Sequence, residues 1–334
     1  MHGSERRLVW VSAVVLTFCA LGAVNSIWPS AVKAHAAAVV QRVSHPLVLT
    51  PTTVPAPVAT ATPPAPAPAP PPAAEPAPAP DPSGVNVLSV TVEHDGRVLR
   101  TTVRYPSTPG HYPLVVFAHG FAASAATYAR LEEQLAASGL VVAAPDFPLT
   151  SSAVASSLDR SDVVNQAADV SAVIDFLVDA ATTPAELQNV IASGPVGVVG
   201  HSDGGITAAA VAYNSRVADP RVAAAVILSG AKTMYGGTWF GPESAALLAI
   251  HGDDDGVNPY WSSEQLFSDA TGPKWLVKVL GGSHGGPFTN APVVAQVAVV
   301  TADFLHAYLS GDSAAAARIE ADANADGLEL DDAG

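Results

Sequence analysis

The pentapeptide Gly200-His201-Ser202-Asp203-Gly204 has the residue types and spacing of a serine nucleophile and its turn. It follows the apolar stretch VGVV and precedes the Ala-rich stretch ITAAAVAY, so it is predicted to lie between a strand and a helix. In such a turn the serine backbone is strained, and glycines two positions to either side remove side chains that would clash. We predict that Ser202 presents its hydroxyl at the carboxyl end of a sheet.

A serine hydroxyl is a weak nucleophile until a base removes its proton, and histidine is the usual base. His284 lies in the Gly-rich segment GGSHGG, just after the predicted strand KWLVKVL. His251 lies within a predicted strand and is interpreted as a packed core residue, and His306 falls in a closing helix. We therefore predict that His284 is the general base.

The base needs a carboxylate that orients its ring and stabilises the imidazolium. The segment IHGDDDGVNP ends a predicted strand and offers Asp253, Asp254 and Asp255. The loop after RVAAAVILSG contains no acidic residue until Glu243, which favours the Asp cluster. Neighbouring carboxylates repel one another, so at least one of the three needs a hydrogen-bonding partner or solvent.

An oxyanion hole requires two N–H donors that point at the developing negative charge. The backbone N–H groups of Asp203 and Phe121 are predicted to supply them, with Phe121 in the loop after LVVFAHG. The Asp203 carboxylate is expected to point away from that charge. His201, Tyr235 and Trp239 are predicted to line the substrate pocket, although Trp239 alternatively only packs its loop onto the domain.

Short apolar strands alternate with helical segments over residues 84–310, a pattern typical of a mostly parallel sheet with helices on both faces. The chain begins this region with two strands that turn at Asp95-Gly96, and a long helix is predicted over 162–180. Residues 232–245 are too few to hold a helical cap. We predict one α/β catalytic domain over 84–310 with an open site and no large cap domain.

The N-terminal segment 1–36 has the features of an export signal. Arg6 and Arg7 precede an uncharged apolar stretch, and Ala34-His35-Ala36 offers a small-x-small cleavage site. Both a cleaved signal peptide and a retained signal anchor fit this pattern. Either one places the catalytic domain outside the cytoplasm, secreted or anchored to the membrane.

Residues 37–83 are rich in Pro and Ala, and they cannot pack a core because proline removes backbone donors. We interpret them as a linker. Residues 311–334 are acidic and are expected to form a disordered tail. Within them, Asp322, Asn324, Asp326 and Gly327 match the first half of a calcium loop. The glutamate that would complete that loop is absent, so weak or no calcium binding is predicted.

Composition restricts the other functions. The net charge of −15 argues against nucleic acid as a partner, since that affinity depends on Lys and Arg contacts to phosphates. Cys19 is the only cysteine, so disulfides and thiolate-bound metals are not expected. No G-x-G-x-x-G segment follows the first strand, which argues against a dinucleotide site. We expect a monomer that needs no cofactor or metal.

The order HGF, GHSDGG, HGDDDGVNP and GGSHGG resembles the α/β-hydrolase superfamily over residues 85–310, in particular its chlorophyllase, dienelactone hydrolase and cutinase-like polyester hydrolase branch. The resemblance assigns Asp255 as the triad acid, with Asp253 as the alternative, and implies that Phe121 flanks the acyl group. It implies an exported serine hydrolase of carboxylic esters that forms an acyl-enzyme. Asp203 departs from the Met that polyester hydrolases carry, which speaks against a polyester substrate.

Two other classes remain open from the residues alone. A serine peptidase or amidase would use the same triad with a peptide pocket. A non-catalytic exported protein could keep the fold without turnover, although the complete Ser, His and Asp set argues against it.

Overall fold

The described part of the chain begins with a β-hairpin; the computed structural model describes residues 84–242 and 244–334. Strands β1 (Val85–His94) and β2 (Arg97–Pro106) pair antiparallel. Asp95 and Gly96 turn the chain with φ of 46° and 75°, the left-handed conformation that suits a two-residue hairpin turn. The predicted hairpin is confirmed.

The hairpin joins a nine-stranded sheet in the order β1-β2-β4-β3-β5-β6-β7-β8-β9. The further strands are β3 (Leu114–Ala118), β4 (Val141–Asp146), β5 (Val196–His201), β6 (Val222–Leu228), β7 (Ala246–Gly252), β8 (Lys274–Val279) and β9 (Leu328–Ala333). Strands β4, β3, β5, β6, β7 and β8 run parallel, and the outer pairings are antiparallel. Every residue of β3, β5 and β7 is buried, which explains their unbroken apolar runs.

Helices cover both faces of this sheet. They are α1 (Ala129–Ala137), α2 (Gln166–Val178), α3 (Asp203–Tyr213), α4 (Trp261–Asp269), α5 (Gly286–Thr289), α6 (Val294–Ser310), α7 (Ser313–Ala316) and α8 (Ile319–Asp322). Helices α2, α3 and α4 contribute to the core on one face, and α1, α5, α6 and α8 contribute to the core on the other. The predicted α/β-hydrolase arrangement, with a mostly parallel sheet between two helical layers, is confirmed.

The helix predicted over 162–180 is shorter than expected. A 3-10 helix (Arg160–Asn165) comes first, with the Asp159 side chain accepting a hydrogen bond from the Ser161 amide at its start. The α-helix begins only at Gln166. Arg97 of β2 forms ion pairs with two buried carboxylates, Asp162 in the 3-10 helix and Asp169 in α2. These ion pairs connect both helical segments to β2. A contact so distant in sequence leaves no local pattern.

The segment between β6 and β7 contains no helix in its described part, residues 229–242 and 244–245. The prediction of a fold without a large cap domain is confirmed. Because the strands around the centre of the sheet are parallel, the loops after β3, β5, β7 and β8 meet at one edge, where ligands bind in open α/β sheets.

The expectation of a disordered tail over 311–334 is corrected by the structure. Strand β9 adds to the edge of the sheet beside β8, and Leu328 and Ile319 are buried. Lys278 of β8 pairs with Glu329 and Asp331 of β9. The acidic composition hid an alternation in which Leu328 and Leu330 face the core while the acids face outward.

Asp322 and Asn324, from the half-matched calcium loop, take part in contacts within the C-terminal segment. Asn324 accepts a hydrogen bond from the Leu330 amide at 3.1 Å and donates one to the Glu320 carbonyl at 2.8 Å. Burial and the neighbouring Asp303 carboxylate raise the pKa of Asp322 to about 6. Among residues 84–242 and 244–334, no cluster of three or more His, Cys, Asp or Glu side chains is arranged to hold a metal ion.

The predicted export segment 1–36 and the predicted linker 37–83 lie outside the described residues. Within the described part, no helix is both long enough and apolar enough to cross a bilayer.

Candidate active site

Ser202 lies at the turn between β5 and α3, where the strand-to-helix pattern predicted it. Its φ of 56° and ψ of −119° lie outside the regions that non-glycine residues ordinarily adopt. The Ser202 amide donates to the Leu228 carbonyl at 3.0 Å, and the Ser202 carbonyl accepts from the Ile206 amide at 3.0 Å. Backbone bonds on both sides hold the strained residue, which is how such strain persists at functional sites.

The glycines of the pentapeptide are required by close packing. A Cβ atom at Gly200 would lie 2.0 Å from the Gly204 carbonyl oxygen, and one at Gly204 would lie 2.0 Å from the Ala118 carbonyl oxygen. Both distances are far below van der Waals contact. The turn can therefore pass between β5 and the end of β3 only if positions 200 and 204 lack side chains.

The structure brings Ser202, His284 and Asp255 together in a hydrogen-bonded chain. The His284 Nε2 atom lies 2.9 Å from the Ser202 Oγ atom, and His284 Nδ1 lies 2.7 Å from Asp255 Oδ2. An ionised carboxylate can only accept, so Nδ1 carries the proton and Nε2 is free to accept the serine proton. The Asp255 side chain is fully buried, whereas that of His284 is 20% exposed.

Asp255 is held by backbone donors as well as by histidine. Its Oδ1 atom accepts from the amides of Val257 and Asn258 at 2.8 and 2.9 Å. Burial by itself raises the pKa of Asp255, but the hydrogen bonds from His284 and from these two amides outweigh it and lower the pKa below its ordinary value. Asp255 is thereby kept as the anion that a histidine base needs.

Within the described residues, the other two candidate acids make no hydrogen bond to His284. The Asp253 carboxylate accepts from the Gly281 amide at 2.6 Å, and the Asp254 amide donates to the Gly282 carbonyl at 3.0 Å. Both contacts tie the loop after β7 to the loop that carries His284. Only Asp255 of the three contacts the imidazole.

The loop after β3 carries Phe121 at the same edge of the sheet. The Ala122 amide donates to Thr150 at 2.9 Å and the Ala123 amide to Gly120 at 3.1 Å, while Ala122 adopts a φ of 59°. Neither the Phe121 amide nor the Asp203 amide donates a hydrogen bond to any group in residues 84–242 and 244–334. The two predicted oxyanion donors therefore have no hydrogen-bond acceptor among the described residues.

Residues 85–229 match the family model described as Chlorophyllase. This family belongs to the α/β-hydrolase superfamily, and the sheet order and the strand-to-helix serine agree with it. The chain has the α/β-hydrolase fold. The match points to a hydrolase that acts on esters, and it ends before Asp255 and His284. No curated protein matches the chain.

Within this α/β-hydrolase fold, the residue before Ser202 does not line an open pocket, contrary to the expectation for His201. The side chain is buried: Nδ1 lies 2.7 Å from the Tyr128 hydroxyl and Nε2 lies 2.7 Å from the His284 carbonyl oxygen. Its ring also packs against Phe288 with centroids 5.2 Å apart. Burial lowers the pKa of His201 to about 4, so its ring is neutral and holds the His284 loop by donating from Nε2.

Tyr235 and Trp239 pack against the core in the segment between β6 and β7. The Tyr235 hydroxyl donates to the Val163 carbonyl, and the Trp239 backbone pairs with Asn214. The two rings meet edge to face with centroids 6.5 Å apart. No hydrogen bond or ring contact joins either side chain to Ser202 or His284 within the described residues, so these contacts agree with the alternative that Trp239 packs its loop.

Three residues at the site were not predicted from the sequence. Tyr128 binds His201, and the His251 Nε2 atom lies 3.1 Å from Asp255 Oδ2. Arg160 binds the Asp203 carboxylate through two hydrogen bonds of 2.7 and 2.6 Å. The position of His251 at the start of the HGDDDG segment was the one sequence signal that could have indicated its role. Tyr128 and Arg160 do not lie in any recognisable motif.

Proposed function

We propose that this protein is a serine hydrolase of carboxylic esters, with Ser202 as nucleophile, His284 as general base and acid, and Asp255 as the residue that orients His284. The observation that carries the proposal is the chain of two hydrogen bonds, 2.9 Å from Ser202 to His284 and 2.7 Å from His284 to Asp255. The strained backbone of Ser202, at a φ of 56°, supports the same role.

Acylation starts when Ser202 Oγ attacks the ester carbonyl carbon while His284 Nε2 takes the hydroxyl proton. The carbonyl oxygen becomes an oxyanion, for which the amides of Phe121 and Asp203 are the proposed donors. His284 then returns the proton to the alkoxy oxygen, the carbon–oxygen bond breaks, and the alcohol leaves. The acyl group stays on Ser202 as an ester.

Deacylation repeats these steps with water. His284 removes a proton from the water molecule as its oxygen attacks the acyl carbon, and the same amides bind the second oxyanion. The proton then moves from His284 to Ser202 Oγ as the acid leaves. The buried, amide-bound Asp255 carboxylate stabilises the imidazolium in both halves.

The surroundings of Ser202 support an open, partly apolar entrance. Phe121 is 37% exposed beside the proposed oxyanion site, and Val257 is 69% exposed on the loop that carries Asp255. The described residues between β6 and β7 contain no helix that could cover the site. We propose that Phe121 contacts the acyl group.

A fluorophosphonate probe, which reacts with activated serines, tests the nucleophile. We expect labelling of the wild-type chain, complete loss in Ser202→Ala, and full retention in Ser313→Ala, an exposed serine in α7. p-Nitrophenyl esters of graded chain length and peptide anilides then separate an esterase from a peptidase or amidase. Labelling that survives in Ser202→Ala contradicts the proposal, and an unlabelled wild-type chain supports a non-catalytic protein.

We also propose that the catalytic domain acts outside the cytoplasm, secreted or anchored through residues 1–36. Arg6 and Arg7 ahead of the apolar stretch support this, since positive charge keeps that end in the cytoplasm. Expression of the full chain, followed by protease treatment of intact cells, tests it. Protection of the domain from added protease contradicts export.

A further inference from the structure

The residue after the nucleophile carries a charge where an oxyanion would form. Asp203 is the first residue of α3, its amide is one proposed oxyanion donor, and its side chain is only 2% exposed. An uncompensated carboxylate there would oppose the developing negative charge, because charges interact strongly where water is excluded. The site therefore needs a positively charged partner that neutralises Asp203.

In the described structure, Arg160 is that partner. Its Nε and Nη2 atoms donate to both oxygens of the Asp203 carboxylate at 2.7 and 2.6 Å, a bidentate contact that fixes direction as well as charge. Hydrogen bonding to Asp203 raises the pKa of Arg160, so the guanidinium remains charged. The Arg160 side chain is 60% exposed, so it reaches Asp203 from the solvent side of the site.

A hydrogen-bonded chain connects the segment of Arg160 to the Phe121 loop. Thr207 of α3 donates to Gln166 at 2.7 Å, Gln166 donates to the Thr150 hydroxyl at 2.7 Å, and the Thr150 carbonyl accepts from Ala122 at 2.9 Å. The start of α2, the start of α3 and the loop beside Phe121 are thus joined. Arg160 begins the 3-10 helix that ends at Asn165, directly before Gln166 of this chain of hydrogen bonds.

We propose that Arg160 is a positioning residue of the oxyanion site: its guanidinium neutralises Asp203 and directs the carboxylate away from Ser202, so that the Asp203 amide can bind the oxyanion. This rests on the proposed function for its catalytic consequence. Asp203 adjoins Ser202, whose Oγ atom lies 2.9 Å from His284 Nε2, so we expect the pairing to influence the charge near His284, and this effect can be measured without turnover.

The proposal predicts that the single variants at Arg160 and Asp203 shift the His284 pKa in opposite directions. In Arg160→Met the carboxylate is uncompensated, so it favours the imidazolium and raises the His284 pKa, and kcat/KM falls about 10- to 100-fold. In Asp203→Asn the guanidinium is uncompensated, so it lowers the His284 pKa. The double variant restores both quantities toward wild type, and Arg160→Lys, which keeps the charge, stays near wild type in pKa.

The other titratable groups around His284 stay constant through this cycle. They are Asp255, His201 and His251, which lie on the loop after β7, on β5 and on β7. Arg221→Met is a matched control, because Arg221 makes an equally bidentate contact with Asp219 before β6, at the opposite end of the sheet. It should leave the His284 pKa and kcat/KM unchanged.

The experiment measures the His284 pKa by NMR in histidine-labelled protein, assigned with His284→Gln, together with the pH profile of kcat/KM. Opposite shifts in Arg160→Met and Asp203→Asn, cancelled in the double variant, support the proposal. The proposal is overturned if the His284 pKa shifts in the same direction in both single variants or does not shift at all. It is also overturned if the double variant does not restore kcat/KM. Either result would mean that Arg160 has only a structural role. If the NMR shifts occur but no ester is hydrolysed, the proposed function fails while the charge pairing stands.

Discussion

The Nε2 atom of His251 lies 3.1 Å from Asp255 Oδ2, the same carboxylate oxygen that His284 contacts at 2.7 Å. His251 is fully buried, its Nδ1 lies 2.7 Å from the Ser263 hydroxyl, and burial lowers its pKa. Its ring is therefore neutral, accepts from Ser263, and donates from Nε2 to Asp255. The proposed triad acid is thus held by a second, fully buried histidine.

Replacement of His251 by leucine tests this positioning role. We expect kcat to fall about 10-fold with KM little changed, because Asp255 loses one of the donors that aim it at His284. His306→Gln is the control, since the His306 side chain contacts the Ser138 carbonyl, away from the site. A lower melting temperature with unchanged kcat would show that His251 acts on stability alone.

The neutral His201 makes stability depend on pH. Its pKa is about 4 in the folded chain against 6.5 in an exposed histidine. The unfolded chain binds the proton more readily, so this contribution is fully present above pH 6.5 and is lost as pH falls toward 4, by about 3 kcal/mol in all.

Chemical denaturation of the wild type and of His201→Gln at several pH values measures this contribution as the difference between their free energies of unfolding. Wild type should lose more free energy of unfolding between pH 6.5 and 4 than His201→Gln, which cannot titrate. His119 and His251 also have lowered pKa values, but they contribute equally to both proteins. Parallel pH curves for the two proteins would contradict the neutral, buried state of His201.

The glycines beside Ser202 give a steric prediction. Gly204→Ala would place a Cβ atom 2.0 Å from the Ala118 carbonyl oxygen, so we expect it to cost about 1–3 kcal/mol or more and to abolish probe labelling. Gly256→Ala is the matched control, because nothing lies within 4 Å of a Cβ atom there. Urea denaturation compares the two variants, and equal stability would refute the close packing of the turn.

The C-terminal strand gives a prediction that an unstructured tail would not. A chain that ends at Gly327 loses β9, including the buried Leu328, and exposes the edge of β8. We expect the free energy of unfolding to fall by about 2–4 kcal/mol. Calorimetry of the shortened and full chains measures it.

A point substitution distinguishes the contribution of the β9 backbone and Leu328 from that of the exposed charges on β9. Asp331→Ala removes the contacts with Tyr260 at 2.9 Å and Lys278 at 3.1 Å, both of which are exposed, so we expect a loss below about 1 kcal/mol. If the shortened chain is as stable as the full one, β9 contributes nothing to folding.

The sequence alone determined the fold class and the position of Ser202. Unbroken apolar runs such as LVVFA identify buried parallel strands, and the glycines at positions 200 and 204 mark a turn whose local geometry tolerates no side chain. Local patterns of this kind depend on neighbours along the chain. For the same reason, the Asp95-Gly96 hairpin was correctly predicted, whereas β9 was missed because acidic residues dominate its composition.

Only the tertiary structure decided what surrounds the serine. Arg160 and Asp203 are separated by 43 positions, and Tyr128 and His201 by 73. No short sequence motif can therefore contain either pair. Asp253 and Asp255 have similar neighbours in sequence, yet only Asp255 contacts His284, because the loop after β7 bends its carboxylate onto the amides of Val257 and Asn258. Such contacts depend on where parallel strands bring distant loops together, and residue types do not encode that placement locally.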